Sequence, residues 1–197
     1  MVPYTRERER RLSSKKPYFP NLRSAVISIA VVCVLLVLAV LVIDRSTVMR
    51  LNRYMAKVET AREDAIEQID LRFSYAGKLS ILMSKGELGA PLSAAVSLYA
   101  PQMDIEGLSL AYNSLDSVLS NLQKQIYQEP DYLLYLAYFE KLYDCETALT
   151  QAVLTYNGES ENFNRQISAF PAKFIAKRLG MEPMVPFSIA KALKSRP

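Results

Sequence analysis

Side chains that could hold a cation occur together at one place in this chain. The carboxylate pairs Glu59/Glu63 and Asp64/Glu67 are each about one helical turn apart, so each pair could bind a cation weakly. Arg62 and Lys57 lie nearby, and such mixed charges are more typical of a solvated helix face with ion pairs. The pairs therefore do not predict a metal site, and we expect the chain to need no metal.

Residues needed for common catalytic sites are missing from the sequence. The chain has no histidine, which excludes Ser-His-Asp and Cys-His nucleophilic sites, Cys2His2 zinc sites and the Glu-x-x-His di-iron site. Neither G-x-x-x-x-G-K-[ST] nor G-x-G-x-x-G occurs, so no phosphate-binding loop is predicted. We therefore expect a protein that is not an enzyme and carries no cofactor.

An aromatic residue recurs every seven positions near the end of the chain, each time with the same kind of neighbour. The three pairs are Tyr156-Asn157, Phe163-Asn164 and Phe170-Pro171. Seven residues make two helical turns, so the aromatic side chains are predicted to share one helix face, with the asparagines in a stripe beside it. Proline ends the pattern, because it lacks an N–H and clashes with the preceding turn.

The asparagine stripe has two interpretations. Asn157 and Asn164 could form a polar partner-binding surface together with Glu146 and Arg72. Alternatively, they are hydrogen-bonding residues that fix the register between helices, as one buried asparagine does in a coiled coil. We favour the second interpretation, because every one of these residues lies beside a predicted core stripe.

One segment is apolar enough to cross a membrane. No charged residue occurs between Arg23 and Asp44, and a twenty-residue helix of this kind, residues 24–43, is about 30 Å long, the thickness of a bilayer's hydrocarbon core. A buried core helix would rarely be apolar on every face. A cleaved signal peptide would have a shorter apolar region followed by a small-x-small site. We predict an uncleaved, single-pass transmembrane helix that begins at Ser24 and ends at Ile43.

The positive charge of the chain is concentrated before this segment. Residues 1–23 carry seven basic and two acidic side chains, whereas the remainder carries 17 basic and 18 acidic ones. The basic residues are Arg6, Arg8, Arg10, Arg11, Lys15, Lys16 and Arg23. The positive-inside rule then predicts a cytoplasmic tail and an extracytoplasmic domain in the plasma membrane, and we expect no nucleic-acid partner. Basic residues just beyond the segment leave the reverse orientation open.

The rest of the chain predicts an all-α fold. Apolar residues at three–four spacing predict long helices over residues 44–85, 103–128 and 131–170, with short helices over 91–99 and 172–179. The predicted stripe of the last long helix is Tyr135, Tyr138, Leu142, Cys145, Leu149, Ala152, Tyr156, Phe163, Ile167 and Phe170. Stripes of this kind are typical of coiled-coil-like packing, so we predict an antiparallel bundle of three long helices plus short helices.

The predicted domain organisation has four parts. A basic tail (1–23) precedes the transmembrane helix (24–43), which is followed by a helical-bundle domain (44–180) and an irregular basic tail (181–197). The C-terminal tail could be an amphipathic segment that rests on anionic lipid or on a partner. We favour a segment that covers the end of the bundle.

The aromatic–asparagine repeat resembles the signature of the LemA family, YN-x(5)-YN-x(2)-I-x(2)-FP, with Phe163 in place of the second tyrosine. Tyr135, Leu142 and Glu146 are similar to that family's aromatic-x(6)-Leu-x(3)-Glu spacing, and the resemblance extends over residues 66–187. Around Arg72 the chain lacks the aspartate and proline that the family usually has, so the resemblance is to a divergent member. It implies one N-terminal membrane helix before a helical bundle.

The resemblance gives a location and no agreed biochemical activity. We expect a membrane-anchored, non-enzymatic scaffold or adaptor of the bacterial cell envelope. The alternative is a sensory or regulatory subunit of a membrane complex. The expected partners are the lipid bilayer, through residues 24–43, and an envelope protein, and a homo-oligomer is compatible with the sequence. The candidate partner-binding or structural residues are Glu146, Tyr156, Asn157, Phe163, Asn164, Phe170 and Pro171.

Overall fold

The fold is all-α, as the sequence predicts. A computed structural model describes residues 21–86 and 88–189, and this part of the chain contains no strand. Its α-helices are α1 (Leu22–Leu82), α2 (Gly89–Ser97), α3 (Ile105–Gln125), α4 (Tyr132–Ser168) and α5 (Ala172–Arg178), with 3-10 turns at Met83–Lys85 and Ile126–Gln128. The predicted N-terminal basic tail lies almost wholly outside the described residues, as do Lys191, Lys194 and Arg196 of the predicted C-terminal tail.

The chain divides into two compact units, residues 1–47 and residues 48–197. In the first unit, α1 contains a stretch that is long and apolar enough to cross a membrane. Its side chains are not packed in a core, since Leu35 and Val40 are 60% and 64% exposed. A helix that leaves apolar side chains uncovered all round is of the kind that lipid solvates.

The second unit has one hydrophobic core, to which all five helices contribute. Within this unit, α1 buries a residue at every seventh position on one face, and one of these residues is charged. The positions are Leu51, Val58, Ala65, Arg72 and Leu79. Between α1 and α2 the chain turns sharply at Gly89, where a Cβ atom would lie 2.4 Å from the carbonyl oxygen of Met83. Glycine is therefore required there by close backbone approach.

The third helix, α3, has the apolar face that the sequence predicts. Asp104 caps it, because its carboxylate accepts a hydrogen bond of 2.8 Å from the Gly107 N–H. The three–four spacing predicted over residues 103–128 is buried at Leu108, Tyr112, Leu115, Leu119 and Leu122 of α3 and at Ile126 of the following 3-10 turn, and Ile105 is partly buried. Asp116, which the stripe did not include, is also fully buried.

The buried face of α4 differs from the predicted stripe. Its core positions are Tyr135, Phe139, Leu142, Glu146, Leu149, Val153, Tyr156, Ser160, Phe163 and Ile167. They alternate strictly by four and three, so Phe139, Glu146 and Val153 take the places predicted for Tyr138, Cys145 and Ala152, which are only partly buried. At one of these steps the prediction chose the apolar Cys145 over its neighbour Glu146 and so missed a buried carboxylate.

The aromatic repeat does not continue to Phe170. Helix α4 ends at Ser168, and Ala169 is already extended, with ψ near 146°. Because the helix ends before Phe170, the seven-residue register is lost, and the Phe170 side chain is 84% exposed. The prediction that three aromatic residues share one helix face is therefore correct for Tyr156 and Phe163 and wrong for Phe170.

Residues 181–189 have no regular secondary structure, but they belong to the second unit. Gly180, with φ of +67°, ends α5 in the left-handed conformation that favours glycine. Beyond it, Phe187 is buried, and Met181, Met184 and Ile189 pack against the core. Part of the predicted C-terminal tail, residues 181–189, therefore packs against the helices of this unit.

Candidate functional site

Three helices meet at a buried cluster of charges. Arg72 of α1 is completely buried, and its Nη2 donates a hydrogen bond of 2.5 Å to Oδ1 of Asp116 on α3. Its Nη1 forms an ion pair with Oε2 of Glu146 on α4. One guanidinium thus connects two carboxylates that lie on different helices.

Tyr112 completes the cluster from α3. Its hydroxyl donates a hydrogen bond of 2.5 Å to Oε2 of Glu146, and the guanidinium carbon of Arg72 lies 4.9 Å from the centre of its ring. That distance is within the range of a cation–π interaction. Burial raises the pKa of Tyr112 to about 12, although the charge of Arg72 lowers it and that of Asp116 raises it. Tyr112 therefore remains a hydrogen-bond donor at neutral pH.

The cluster carries two formal negative charges and one positive charge in a site closed to solvent. Buried charges destabilise a fold unless they are paired, and removing one partner of such a pair costs far more than removing a surface charge. Within the cluster, Arg72 Nε has no hydrogen-bond partner among the described residues. No group of three or more His, Cys, Asp or Glu side chains in the described part of the chain could hold a metal ion. The arrangement fixes how α1, α3 and α4 pack.

Both asparagines of the repeat hold the C-terminal segment. Asn157 donates from Nδ2 to the carbonyl of Phe187 (2.9 Å) and accepts from the Phe187 N–H (2.7 Å). Asn164 forms the same pair of bonds with Met184, at 2.8 and 2.7 Å. Each side-chain amide therefore pairs with both main-chain groups of one residue, as a residue of an adjacent strand does.

The spacing of the repeat matches the spacing of the residues it holds. Seven residues of α-helix rise about 10.5 Å between Asn157 and Asn164. Three residues of extended chain, from Met184 to Phe187, cover about 9–10 Å. A seven-residue repeat on the helix can therefore bind every third residue of an extended segment, which explains why the two asparagines stand seven apart.

Further contacts fix the segment between α3 and α4. The Tyr156 hydroxyl donates to the carbonyl of Val185 (2.8 Å), and the Ser188 N–H donates to Oγ of Ser109 (3.3 Å). Asn113 donates from Nδ2 to the Ser188 carbonyl at 3.3 Å. The ring of Phe187 meets that of Tyr112 edge-on, with centroids 6.5 Å apart. The segment thus touches the residue that completes the charge cluster.

The structure separates the predicted site residues into two groups. Arg72 and Glu146 come together but are buried, so they do not form a polar surface with Asn157 and Asn164. The asparagines bind an extended segment of their own chain, which is a different arrangement from register-fixing bonds between helices.

The remaining candidates occupy the two ends of this region. Phe163 of α4 is fully buried, whereas Phe170 is exposed and meets the ring of Phe174 edge-on, with centroids 6.1 Å apart. Pro171 follows a cis peptide bond and precedes α5. Among the carboxylates first considered for a cation, Glu59 forms an ion pair of 3.1 Å with Arg62.

A cavity of about 690 Å³ adjoins the segment on the side of Met184. It lies between one face of α1, the start of α3 and residues 179–185, and its lining includes the side chains of Met55, Met181, Met184, Tyr156 and Phe163. Carboxylates line it as well, at Glu59, Asp104, Glu106 and Glu182, against the single basic residue Arg62. Its size is that of a small-ligand pocket.

Several residues of these sites were missed by sequence reasoning. Nothing in the sequence around Tyr112 or Asp116 marks them as site residues, because Tyr112 belongs to an ordinary apolar stripe and Asp116 directly follows a residue of that stripe. The one available signal was Arg72, which interrupts the apolar stripe of α1 and so called for a buried partner.

Comparison with known proteins adds no relative. A scan against protein-family models gave no match, and neither a search of curated proteins nor a search of solved structures found a similar protein. The resemblance to the LemA family therefore remains a prediction that rests on the residues of the repeat.

Proposed function

We propose that this chain is a membrane-anchored helical scaffold or adaptor of the bacterial cell envelope, and a divergent LemA-like protein. In this proposal residues 24–43 cross the plasma membrane once. The basic tail is cytoplasmic, and residues 48–189 form an extracytoplasmic antiparallel bundle that recruits an envelope protein. The observation that carries the proposal is the apolar, uncharged stretch of α1, whose side chains are exposed.

The antiparallel arrangement is supported by how contacts along α1 and α4 change with residue number. Arg72 of α1 pairs with Glu146 of α4, whereas Met55 lines the same cavity as Phe163. Lower numbers on α1 thus go with higher numbers on α4. A binding role is supported by what the buried and partly buried polar side chains of the described region do: they form hydrogen bonds to main-chain groups or ion pairs with one another.

Cysteine labelling tests the anchor and its orientation together. In a background with Cys33→Ala and Cys145→Ala, a single cysteine is placed at Ser13→Cys or at Leu110→Cys, an exposed position on α3. We expect a membrane-impermeant maleimide to label Leu110→Cys in intact spheroplasts and Ser13→Cys only after lysis. Recovery of the protein in the soluble fraction would refute the anchor, and the opposite labelling pattern would reverse the orientation.

A sensory or regulatory subunit is the second candidate, because α1 is one uninterrupted helix that carries both the apolar stretch and Arg72. A flexible linker inserted between Ser46 and Thr47 separates the two functions. Crosslinking in intact membranes followed by mass spectrometry would identify partners of the wild type and the linker variant. A scaffold keeps its partners and complements a deletion strain, whereas a transmitter keeps its partners and fails to complement.

A further inference from the structure

The surface that holds the C-terminal segment has the properties of a peptide-binding groove. We call the side chains of Ser109, Tyr112, Asn113, Tyr156, Asn157 and Asn164 the C-terminal groove. We propose that this groove binds an extended, proline-containing segment of another protein, and that residues 184–188 occupy it in cis. The inference rests on the proposed function in one respect, namely that the groove is the surface through which the scaffold binds a partner. Its test does not depend on membrane topology.

The groove recognises main-chain atoms. Every hydrogen bond described between groove and segment ends on an N–H or a carbonyl of residues 184–188. Any residue can offer these groups, so the bonds do not require this chain's own sequence. The one fully buried side chain of the segment is Phe187, 3% exposed, which packs against Tyr112. The groove therefore requires an extended main chain and one aromatic residue.

The spacing of the bonds also selects a conformation. The asparagines engage Met184 and Phe187, which are three residues apart. In a polyproline II helix residues three apart face the same side, whereas in a β-strand residues two apart do so. Pro183 and Pro186 favour that conformation and lack only N–H groups that the groove does not use. An extended proline-containing segment loses little entropy on binding, which is the basis of several peptide-recognition modes.

The segment in cis can leave without unwinding a helix. It follows α5 and the left-handed Gly180, and its polar attachment consists of bonds to side chains rather than helical bonds. Segments with few buried apolar contacts open more readily than the core. An open groove would leave the amides of Asn157 and Asn164 without these partners, which favours exchange for another segment over an empty state.

The cavity beside Met184 makes one position of a bound segment permissive. A side chain at that position can project into the space of about 690 Å³, so the groove tolerates residues other than methionine there. The seat of Phe187 is closed, and it requires an aromatic ring of similar size. The partner segment is accordingly x-x-Pro-aromatic, as in Met184-Val185-Pro186-Phe187, with a permissive first position.

Peptide binding to the full chain in nanodiscs tests the inference. The probe is a fluorescent peptide with the sequence of residues 181–189, and its anisotropy reports binding. Phe187→Ala weakens the cis occupant, which competes at an effective concentration near millimolar, and we expect it to tighten peptide binding at least about tenfold. Val185→Ala is the matched control, because the segment uses only the carbonyl of Val185, and it should bind the peptide as the wild type does.

Changes in the peptide and the groove test the mode of recognition. Both tests use the Phe187→Ala chain. N-methylation of the peptide at its Phe187 position removes the N–H that donates a hydrogen bond to Asn157, and it should weaken binding about tenfold. N-methylation at the Val185 position of the peptide should not weaken binding. Asn157→Leu and Asn164→Leu should each weaken binding similarly. The proposal is overturned if the two methylated peptides bind equally well, or if the Asn variants bind the unmodified peptide as tightly as the Phe187→Ala chain does. Peptide affinity that falls as the chain dimerises would assign the groove to a second copy instead.

Hydrogen exchange on the wild-type chain provides a second test if the variants do not fold. We expect the amide protons of Met184 and Phe187 to exchange at least about tenfold faster than those of Leu149 and Val153 in α4, because the segment opens locally. Exchange of both sets at the same rate, through global unfolding alone, would make the segment a permanent part of the core and overturn the proposal.

Discussion

Single residues contribute unequally to the stability of the second unit, and the contribution of a charged residue depends on whether it is buried. Arg72 is fully buried between two carboxylates, whereas Arg62 on the same helix forms an ion pair at the surface. Arg72 is desolvated, so its charge is costly without its partners, whereas Arg62 is at the surface, where water screens its ion pair. The same substitution at the two positions therefore separates a buried charge from an exposed one.

Replacement of Arg72 by methionine is expected to lower the free energy of unfolding by about 3–5 kcal/mol, because Asp116 and Glu146 then remain buried without their common partner. Arg62→Met should cost less than about 1 kcal/mol. Denaturant unfolding of the full chain in detergent, followed by circular dichroism, measures both. Equal losses for the two variants would contradict the assignment of Arg72 to a desolvated cluster.

Tyr112 makes stability depend on pH in the alkaline range. Its pKa rises from 10.0 to about 12 on folding, so the unfolded chain loses this proton first as the pH increases. The contribution is fully present below pH 10 and is lost as the pH rises toward 12, and it amounts to roughly 2–3 kcal/mol. The stability difference between wild type and Tyr112→Phe should therefore change over this range. A difference that is constant from pH 9 to pH 12 would contradict a shifted Tyr112.

At the scale of helices, the sequence predicted well which segments are α-helices, and it predicted less well which residues of each helix are buried. Helices α2 and α3 begin within two residues of the starts predicted at residues 91 and 103, because the glycine and proline signals that precede them act locally. The buried face of α4 does not follow locally, because Glu146 pairs with Arg72 and Tyr112, which lie 74 and 34 residues earlier in the chain. The partners of the asparagines were also beyond prediction, since residues 184–188 have no helical or strand period from which a position could be inferred.

Two glycines in helices should respond oppositely to alanine. At Gly89 an added Cβ meets the Met83 carbonyl at 2.4 Å, so Gly89→Ala must displace backbone and is expected to destabilise the unit by at least about 1–3 kcal/mol. At Gly158, inside α4, nothing lies within 4 Å, and Gly158→Ala should stabilise by about 0.5–1 kcal/mol through helix propensity. Thermal unfolding of both variants against the wild type measures the two signs. Stabilisation by both would show that the turn before α2 relaxes freely.

At the scale of the whole molecule, the chain combines a helix segment suited to lipid with a unit that has its own core. Apolar side chains are exposed in both units, but they differ in density. In the first unit they are contiguous along α1 over about twenty residues, whereas in the second they occur singly, as at Leu110, or in short runs, as at Leu133 and Leu134. Single exposed apolar residues are normal on soluble surfaces, and a long contiguous apolar surface is not.

A lysine placed in each environment distinguishes them. Leu35→Lys puts a charge near the centre of the apolar stretch, where insertion costs about 2.5–3.5 kcal/mol more, so a larger fraction of the protein should be released by alkaline carbonate extraction. Leu110→Lys, at a position that is 72% exposed, should leave extraction unchanged. Equal extraction of both variants would remove the support for a spanning segment.

The edge-on contact between Phe187 and Tyr112 means that one aromatic ring belongs to both the C-terminal groove and the buried charges. Thermodynamic linkage is reciprocal, so a change in the pairing of Arg72 that alters groove occupancy through Tyr112 is matched by an equal effect of occupancy on that pairing. The same ring contact thus gives the C-terminal groove, on α3 and α4, a side-chain path to the guanidinium on α1.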